Sequence, residues 1–356
     1  MRNLDDIEVI EKIDRARMRD VLAGFSQQCQ QAYQLGKDFS LPRDPGDIKN
    51  IVFCGMGGSA IGAEIVSCYL RDEVNVALSI NRDYVLPHFV DKESLVILVS
   101  YSGNTEETIS AYKQAEKNQS KIIVLSSGGE LADLAKKAGY PYLAIPGGFP
   151  PRGALAFLSL PLLALFSQMH LIGNKQGQLQ ETISLLERLQ RECLGVDVQG
   201  EANPAKRLAG RIFSNFCVIY AASERLGGVV TRWRGQLAEN SKTLASSHVF
   251  PEMNHNEIVG WRHPREILSG FTIVVLRDRE DHPQVKKRIE ICKEIWQKEK
   301  VAVEEIWSQG DGLLARIFSL IYVGDFTSFY LAILNGEDPA PVKRIDYLKQ
   351  RLKEWK

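Results

Sequence analysis

The chain carries no surplus of charge: Lys+Arg and Asp+Glu each total 44 of its 356 residues. With net charge at zero, no long-range field recruits nucleic acid, and an anion must be recognised by a local positive site. Cysteine is sparse. The six thiols, at positions 29, 54, 68, 193, 217 and 292, form no CxxC pair and no Cys/His spacing of the kind that holds a metal. They fit the reduced thiols of a cytoplasmic protein, with no metal and no other cofactor expected. Long hydrophobic runs are missing as well: the longest, residues 154–166, is interrupted by Ser159 and Pro161 and is too short to span a bilayer. The opening residues Met-Arg-Asn-Leu-Asp-Asp lack the apolar centre of a signal peptide. Nor do residues 1–45 show the basic excess of an appended DNA-binding helix-turn-helix. These absences set aside nucleic-acid, membrane and metal partners, and the length suffices for two ordinary domains.

What the sequence does have is alternation. A helical region, 7–35, leads through Asp44-Pro45-Gly46 to a strand at 50–54, and further strands are predicted at 74–80, 94–99, 121–125 and 142–145. Helical patterns separate them, which argues for a parallel sheet covered on both faces. Residues 154–170 read as a buried helix that Pro161 kinks or restarts. Residues 173–206 are charged and glutamine-rich, without strand character, and read as helices bridging to a second unit. The alternation then restarts with a strand at 216–221, a helix at 227–241, strands at 271–276 and 301–306, a long helix at 313–334 and a closing helix at 344–354. The fold class is therefore α/β: two doubly wound parallel-sheet domains with helices on both faces, 1–172 and 207–356, joined by 173–206. Ligand is expected at the strand carboxyl ends, between the domains.

Residues 99–108, Val-Ser-Tyr-Ser-Gly-Asn-Thr-Glu-Glu-Thr, form the most specific stretch. They join a strand to a helix through a turn bearing hydroxyls at Ser100, Ser102 and Thr105, with Gly103 giving the backbone room to bend. Free N–H groups at a first helical turn, the positive dipole end and short hydroxyls suit a phosphate dianion. No lysine stands in the loop, so it is not a GxxxxGK[ST] grip; it fits a phosphate monoester. An ordinary helix cap is the alternative. A second turn, Gly55-Met-Gly-Gly-Ser-Ala-Ile-Gly62, follows the first strand and satisfies G-x-G-x-x-A. A dinucleotide site would also need an acid at the end of the next strand. That strand ends at Asn81 and the nearest acid, Asp83, comes two residues late. Gly57, Gly58 and Ser59 suit backbone contact with a small polyol better.

The second half offers Glu239 late in an amphipathic helix, and His255 in the Pro/Asn-flanked stretch Phe250-Pro-Glu-Met-Asn-His-Asn-Glu257. A surface glutamate and an exposed histidine with no task are the plain alternatives. Pro150-Pro-Arg152-Gly-Ala154 places an arginine at the exit of a predicted strand. Aldose–ketose isomerisation needs such a set. A carboxylate in a partly desolvated cleft can move a proton between C2 and C1 through a cis-enediol without metal. A histidine can protonate the ring oxygen, and a cation can balance the enediolate.

Several motifs occur together: Gly-Met-Gly-Gly-Ser, Ser-Tyr-Ser-Gly-Asn-Thr, Pro-Arg-Gly-Ala, Glu-Asn-Ser-Lys, Asn-His-Asn-Glu, Asp338-Pro-Ala-Pro-Val342 and Ile345-Asp-Tyr-Leu-Lys349. Over nearly the whole chain this set resembles the bifunctional phosphoglucose/phosphomannose isomerase family, built from tandem sugar isomerase (SIS) domains. The resemblance implies that Glu239 is the proton-transfer base, His255 the ring-opening group and Arg152 the partner of the enediolate. It gives the phosphate to Ser100, Ser102 and Thr105 and the sugar to Gly57, Gly58 and Ser59. A lysine near the C-terminus completes the family's set; Lys349 is assigned, with Lys343 its rival. A phosphorylated hexose substrate is implied, and a homodimer in which His255 crosses the interface. Ala340 stands where relatives often carry threonine. The other readings are a strict glucose 6-phosphate isomerase and a non-catalytic sugar-phosphate sensor.

Overall fold

The computed structural model describes residues 2–41 and 46–355. Asp44 and Pro45 of the expected turn lie outside the described residues. The N-terminal helical region is three helices, α1 (Ile7–Ile13), α2 (Met18–Ala23) and α3 (Phe25–Asp38). Asp6 starts the first by accepting from Glu8 N at 3.0 Å and Val9 N at 3.3 Å. The first sheet follows: β1 (Asn50–Cys54), α4 (Gly57–Leu70), β2 (Ala77–Asn81), β3 (Ser94–Ser100), α5 (Glu106–Lys117), β4 (Lys121–Ser126), α6 (Gly129–Ala138) and β5 (Tyr142–Ala144), strand and helix alternating except between β2 and β3, which a loop joins. All pairings are parallel, in the order β2-β1-β3-β4-β5, with Asn50 of β1 opposite Ala77 of β2 and Ser94 of β3. Every residue of β3 is buried, as expected of a central parallel strand covered on both faces.

Helix α7 (Leu155–Gln168) runs on through Pro161 without a break, although the sequence suggested a kink or a restart there. It is buried along nearly its whole length and pressed against α3 at Gly36, where a Cβ would stand 2.6 Å from the Pro161 carbonyl oxygen. Tertiary packing holds the helix where local propensity would end it. The bridge then consists of α8 (Gln176–Leu189), a π-turn at Gln190–Leu194, and the start of α9 (Pro204–Ile212), capped by Asn203 with Pro204 in the first turn.

The second sheet is formed by β6 (Phe216–Ala222), α10 (Ser223–Asn240), β7 (Ala245–Phe250), α11 (Arg265–Leu268), β8 (Phe271–Arg277), α12 (Pro283–Lys298) and β9 (Ala302–Trp307). It is also wholly parallel, in the order β7-β6-β8-β9. Strand β7 is the one strand the sequence reading passed over, and helices α11 and α12 were not named in it either. Its residues, Ala-Ser-Ser-His-Val-Phe, lie at the sheet edge and only the two end residues are buried. An edge strand covered on one side needs no apolar run.

Helices α13 (Leu313–Asn335) and α14 (Lys343–Glu354) close the chain. By length and composition α13 could cross a membrane, but its apolar window is entirely buried in the protein. It is the central helix of a core that continues from β1 and β3 through α3, α4 and α7 to α10. The two sheets therefore share one apolar interior, and smaller clusters cover their outer faces.

Candidate active site

In each sheet, neighbouring strands that lead away in opposite directions leave a crevice at their carboxyl ends, the usual ligand position in such folds. In the first sheet this point lies between β1 and β3, and the two turns singled out in the sequence follow those strands. Gly57 opens α4 with φ +50, which favours glycine, and a Cβ there would meet nothing within 4 Å. Gly58 lies against the next segment: a Cβ would stand 3.1 Å from Pro151 and 3.3 Å from Arg152 N. Among the described residues no side chain caps α4 or α5; in α4 the Ser59 N–H is taken by the Met56 carbonyl at 3.0 Å, and ahead of it stand the N–H groups of Gly57 and Gly58.

The hydroxyls are tied into one loop. Ser59 Oγ accepts from Tyr101 N at 3.1 Å, joining the two turns. Ser100 Oγ lies 2.9 Å from Thr105 Oγ1 and accepts from Gly103 N at 3.1 Å. Ser102 stays exposed, its Oγ accepting from Asn104 N at 3.3 Å. Gly103, at φ +67, passes so close to Gly128 that any side chain would clash. The Tyr101 hydroxyl accepts from Phe149 N at 2.8 Å and so fixes the approach to Arg152.

Arg152 sits on a 3-10 turn, Pro151–Gly153, and is 3% exposed. Nε donates to Asn240 Oδ1 at 2.6 Å, Nη2 donates to the carbonyls of Pro339 at 2.5 Å and Ala340 at 2.8 Å, and Nη1 reaches Glu239 Oε2 at 3.3 Å. Burial pushes its pKa down, and the Glu239 carboxylate opposes that. The guanidinium stays charged, since an arginine pKa starts far above neutrality. Glu239 comes from the last turn of α10, with its side chain 29% exposed. An arginine after the first sheet thus meets a carboxylate from the second domain beside the Gly58 turn. The pair is the junction of the two halves.

Beside Glu239 opens a cavity of about 1210 Å³, between α1 and the start of α14. Its cations, Arg2, Lys12, Arg15, Lys242, Lys343 and Arg344, outnumber its acids, Glu239, Glu337 and Asp338. The Ser100–Thr105 loop is not part of its wall. Lys242 anchors the 338–339 segment, its ammonium donating to the carbonyls of Glu239, Asn240, Asp338 and Pro339. Lys343 lines the cavity, whereas Lys349, exposed nearly two turns further along α14, does not. Ala340 contributes a backbone carbonyl to Arg152.

His255 stands apart from the Arg152–Glu239 pair. It ends a 3-10 turn, Glu252–His255, after β7, is exposed, and among the described residues no hydrogen bond engages its imidazole. The loop beneath it is firmly held. Met253 is fully buried, Asn254 Nδ2 donates to Cys292 Sγ at 3.0 Å, and Glu257 accepts from the Tyr220 hydroxyl, which in turn accepts from Trp261 Nε1 at 3.0 Å. A rigid loop presents the ring outward. Among the described residues, no group of three or more His, Cys, Asp or Glu side chains is placed to hold a metal.

Comparison with known proteins agrees with this architecture. Residues 47–140 match the SIS domain family, and residues 201–352 match the bacterial phospho-glucose isomerase C-terminal SIS domain. The bifunctional phosphoglucose/phosphomannose isomerase of Caldicellulosiruptor bescii is 44% identical over 95% of this chain and 100% of its own length. The chain belongs to the bifunctional phosphoglucose/phosphomannose isomerase family. The family member from Aquifex aeolicus is 35% identical over 88% of this chain and 93% of its own. Among solved structures, a glucose-6-phosphate isomerase like protein from Thermus thermophilus superposes with a TM-score of 0.63 at 20% identity, covering 98% of this chain and 99% of that one. Glucosamine-6-phosphate deaminase from Thermotoga maritima gives 0.65 at 17% identity, covering 90% and 96%. At these identities the likeness concerns the fold. Sequence reasoning missed Asn240 as a partner of Arg152, and with it the buried groups behind Asn240. The available signal was Asp325, an acid in the middle of an apolar helix.

Proposed function

We propose that the chain interconverts glucose 6-phosphate and mannose 6-phosphate with fructose 6-phosphate, acting in the cytoplasm as a homodimer. The observation that carries the reading is the Arg152–Glu239 pair beside the Gly58 turn, in a chain of this family. The phosphate sits on Ser100, Ser102, Thr105 and the first-turn N–H groups of α5, and the sugar backbone lies along Gly57, Gly58 and Ser59. His255, free and outward-facing, opens the pyranose ring of substrate held by the partner subunit.

In the open chain, the Glu239 carboxylate takes the C2 proton of the aldose. The electron pair moves to form the C1–C2 double bond, and the aldehyde oxygen becomes an enediolate oxygen facing Arg152. Glu239 then returns the proton to C1 while the C2 hydroxyl proton passes to the O1 oxyanion, leaving C2 as the carbonyl of the ketose and C1 as its hydroxymethyl carbon. Rotation about C2–C3 exposes the other face of the enediol, so that reprotonation at C2 yields mannose 6-phosphate. A buried guanidinium stabilises growing negative charge better than an exposed one, because little water screens it. The lysine of the set is Lys343, which lines the cavity beside Glu239, with Lys349 available if α14 shifts on dimerisation.

Glu239→Gln tests the reading. It should abolish isomerisation and keep binding of 6-phosphogluconate, because it removes the base and leaves the phosphate loop untouched. Turnover near the wild-type rate would rule out Glu239 as the base. A non-catalytic sensor would bind the phosphosugar and turn over none, which the wild-type protein distinguishes directly.

A further inference from the structure

Apart from Arg316 near its start, α13 is interrupted by one charged group, Asp325, followed closely by Thr327 and Ser328, all buried. Polar groups in a core are costly unless each is satisfied. Thr327 Oγ1 donates back to the Val323 carbonyl at 2.7 Å, whereas Asp325 and Ser328 are satisfied by the surroundings of Arg152. The Ser328 hydroxyl donates to the Asp325 carbonyl at 2.7 Å, so its oxygen is left as an acceptor, and it takes Asn240 Nδ2 at 2.9 Å. That commits the amide nitrogen to α13 and turns Oδ1 toward Arg152 Nε. The Asp325 carboxylate meanwhile accepts from Arg232 Nε at 3.0 Å, Arg232 Nη2 at 2.7 Å and Gln236 Nε2 at 2.8 Å. Arg232 Nη2 also donates to the Arg152 carbonyl at 3.0 Å. Both the backbone and the side chain of Arg152 are therefore set from α13.

The donor count shows what this achieves. A guanidinium has five N–H groups. On Arg152, Nε serves Asn240, both Nη2 donors serve the carbonyls of Pro339 and Ala340, and one Nη1 donor serves Glu239. Among the described residues, one Nη1 donor remains without a partner. We infer that Ser328 is a positioning residue which, acting through the amide of Asn240, fixes which N–H of Arg152 meets the charge growing on the enediolate. The inference rests on the role proposed for Arg152 above. A polar patch that only filled the core would affect stability and leave the rate alone.

The experiment uses the full-length protein and reads kcat, KM and affinity for two ligands, a hydroxamate analogue of the enediolate and an uncharged-headed hexitol 6-phosphate. Ser328→Ala should lower kcat about 10-fold, the loss of one well-placed hydrogen bond, with KM within about twofold. Hydroxamate affinity should fall by a similar factor and hexitol phosphate affinity should hold. Asn240→Asp keeps the shape but places a second carboxylate on the guanidinium, and should lower kcat by about 100-fold; it carries the test if the alanine variant does not fold. Arg152→Gln controls the parent reading. If it turns over near the wild-type rate, the role of Arg152 itself fails. If it is inactive while Ser328→Ala, or failing that Asn240→Asp, keeps both kcat and hydroxamate affinity, the positioning role is overturned.

Discussion

The two sheets share a strand order around their central pair, β2-β1-β3-β4 against β7-β6-β8-β9, yet the corresponding carboxyl ends are built for opposite purposes. After β3 the loop carries the paired hydroxyls of Ser100 and Thr105, an exposed Ser102 and a helix start with no side-chain cap among the described residues. After β8 the loop is Arg277-Asp278-Arg279-Glu280-Asp281, and it is closed on itself. Asp278 accepts from Arg316 Nε at 2.9 Å and from Ser308 Oγ at 2.7 Å, and Arg316 Nη2 lies 2.6 Å from Glu280. Two acids and a buried arginine occupy the place where the first sheet carries the proposed phosphate loop. On the function proposed above, one half keeps the ligand end of the fold, while the other uses the same end for cohesion and lends the site Glu239 from α10 and Asn240 beside it.

That contrast can be broken from either side. Arg316→Met should have the largest effect on stability, about 3–5 kcal/mol, because it strands Asp278 as an unpaired buried carboxylate. Chemical denaturation would read it, and 6-phosphogluconate affinity of the folded protein should hold. Asp281 gives a subtler effect of similar origin. Burial pushes its carboxyl up to about 6, and the nearby Asp278 carboxylate adds to this against a hydrogen bond from Asp278 N. A carboxyl raised in the folded state binds a proton that the unfolded chain has already released. Its contribution to stability is therefore full below about pH 4 and is lost as the pH rises through 6, on the order of 2–3 kcal/mol. Asp281→Asn should flatten that part of the profile; an unchanged difference between pH 4 and pH 7 would contradict the burial argument.

On the first sheet the expected pattern is reversed. Ser102→Ala and Thr105→Ala should each weaken binding of phosphorylated ligands by roughly 1.5–3 kcal/mol, the value of a hydrogen bond to a charged group. Unfolding midpoints should barely move for Ser102→Ala, whose side chain is exposed. Unchanged affinity in titration calorimetry would mean that the phosphate sits elsewhere. The smallest effect concerns the His255 loop. Tyr220→Phe removes the hydroxyl that holds Glu257, and should cost about 1–2 kcal/mol of stability. It should also slow turnover of ring-closed substrate more than turnover of open-chain substrate, if the loop serves ring opening.

How much of this was written in the sequence differs with the kind of residue. The strands of both sheets announced themselves except β7, because buried parallel strands need apolar runs and an edge strand such as Ala245–Phe250 does not. The Ser100–Thr105 turn was legible as a candidate phosphate loop because such a feature is local: hydroxyls, glycine and helix start adjoin in the chain. Arg152 and Glu239 could be named as candidates, but their contact depends on the packing of two domains and has no local signature. The sequence reading assigned Lys349 ahead of Lys343, whereas the fold puts Lys343, and not Lys349, in the wall of the cavity beside Glu239. The Ser328–Asn240–Arg152 chain was hidden for a further reason. Each link spans a long stretch of sequence, and a serine in an apolar helix looks ordinary until its partners are known.

The central claim is that this cleft moves a proton between C1 and C2 of a hexose 6-phosphate and reaches both faces of the enediol. It is tested most directly by supplying the purified protein with fructose 6-phosphate in the presence of EDTA, and measuring glucose 6-phosphate and mannose 6-phosphate separately. The account predicts that both products form and that both are lost together in Glu239→Gln. Formation of neither by the wild-type protein, with 6-phosphogluconate still bound, would contradict it.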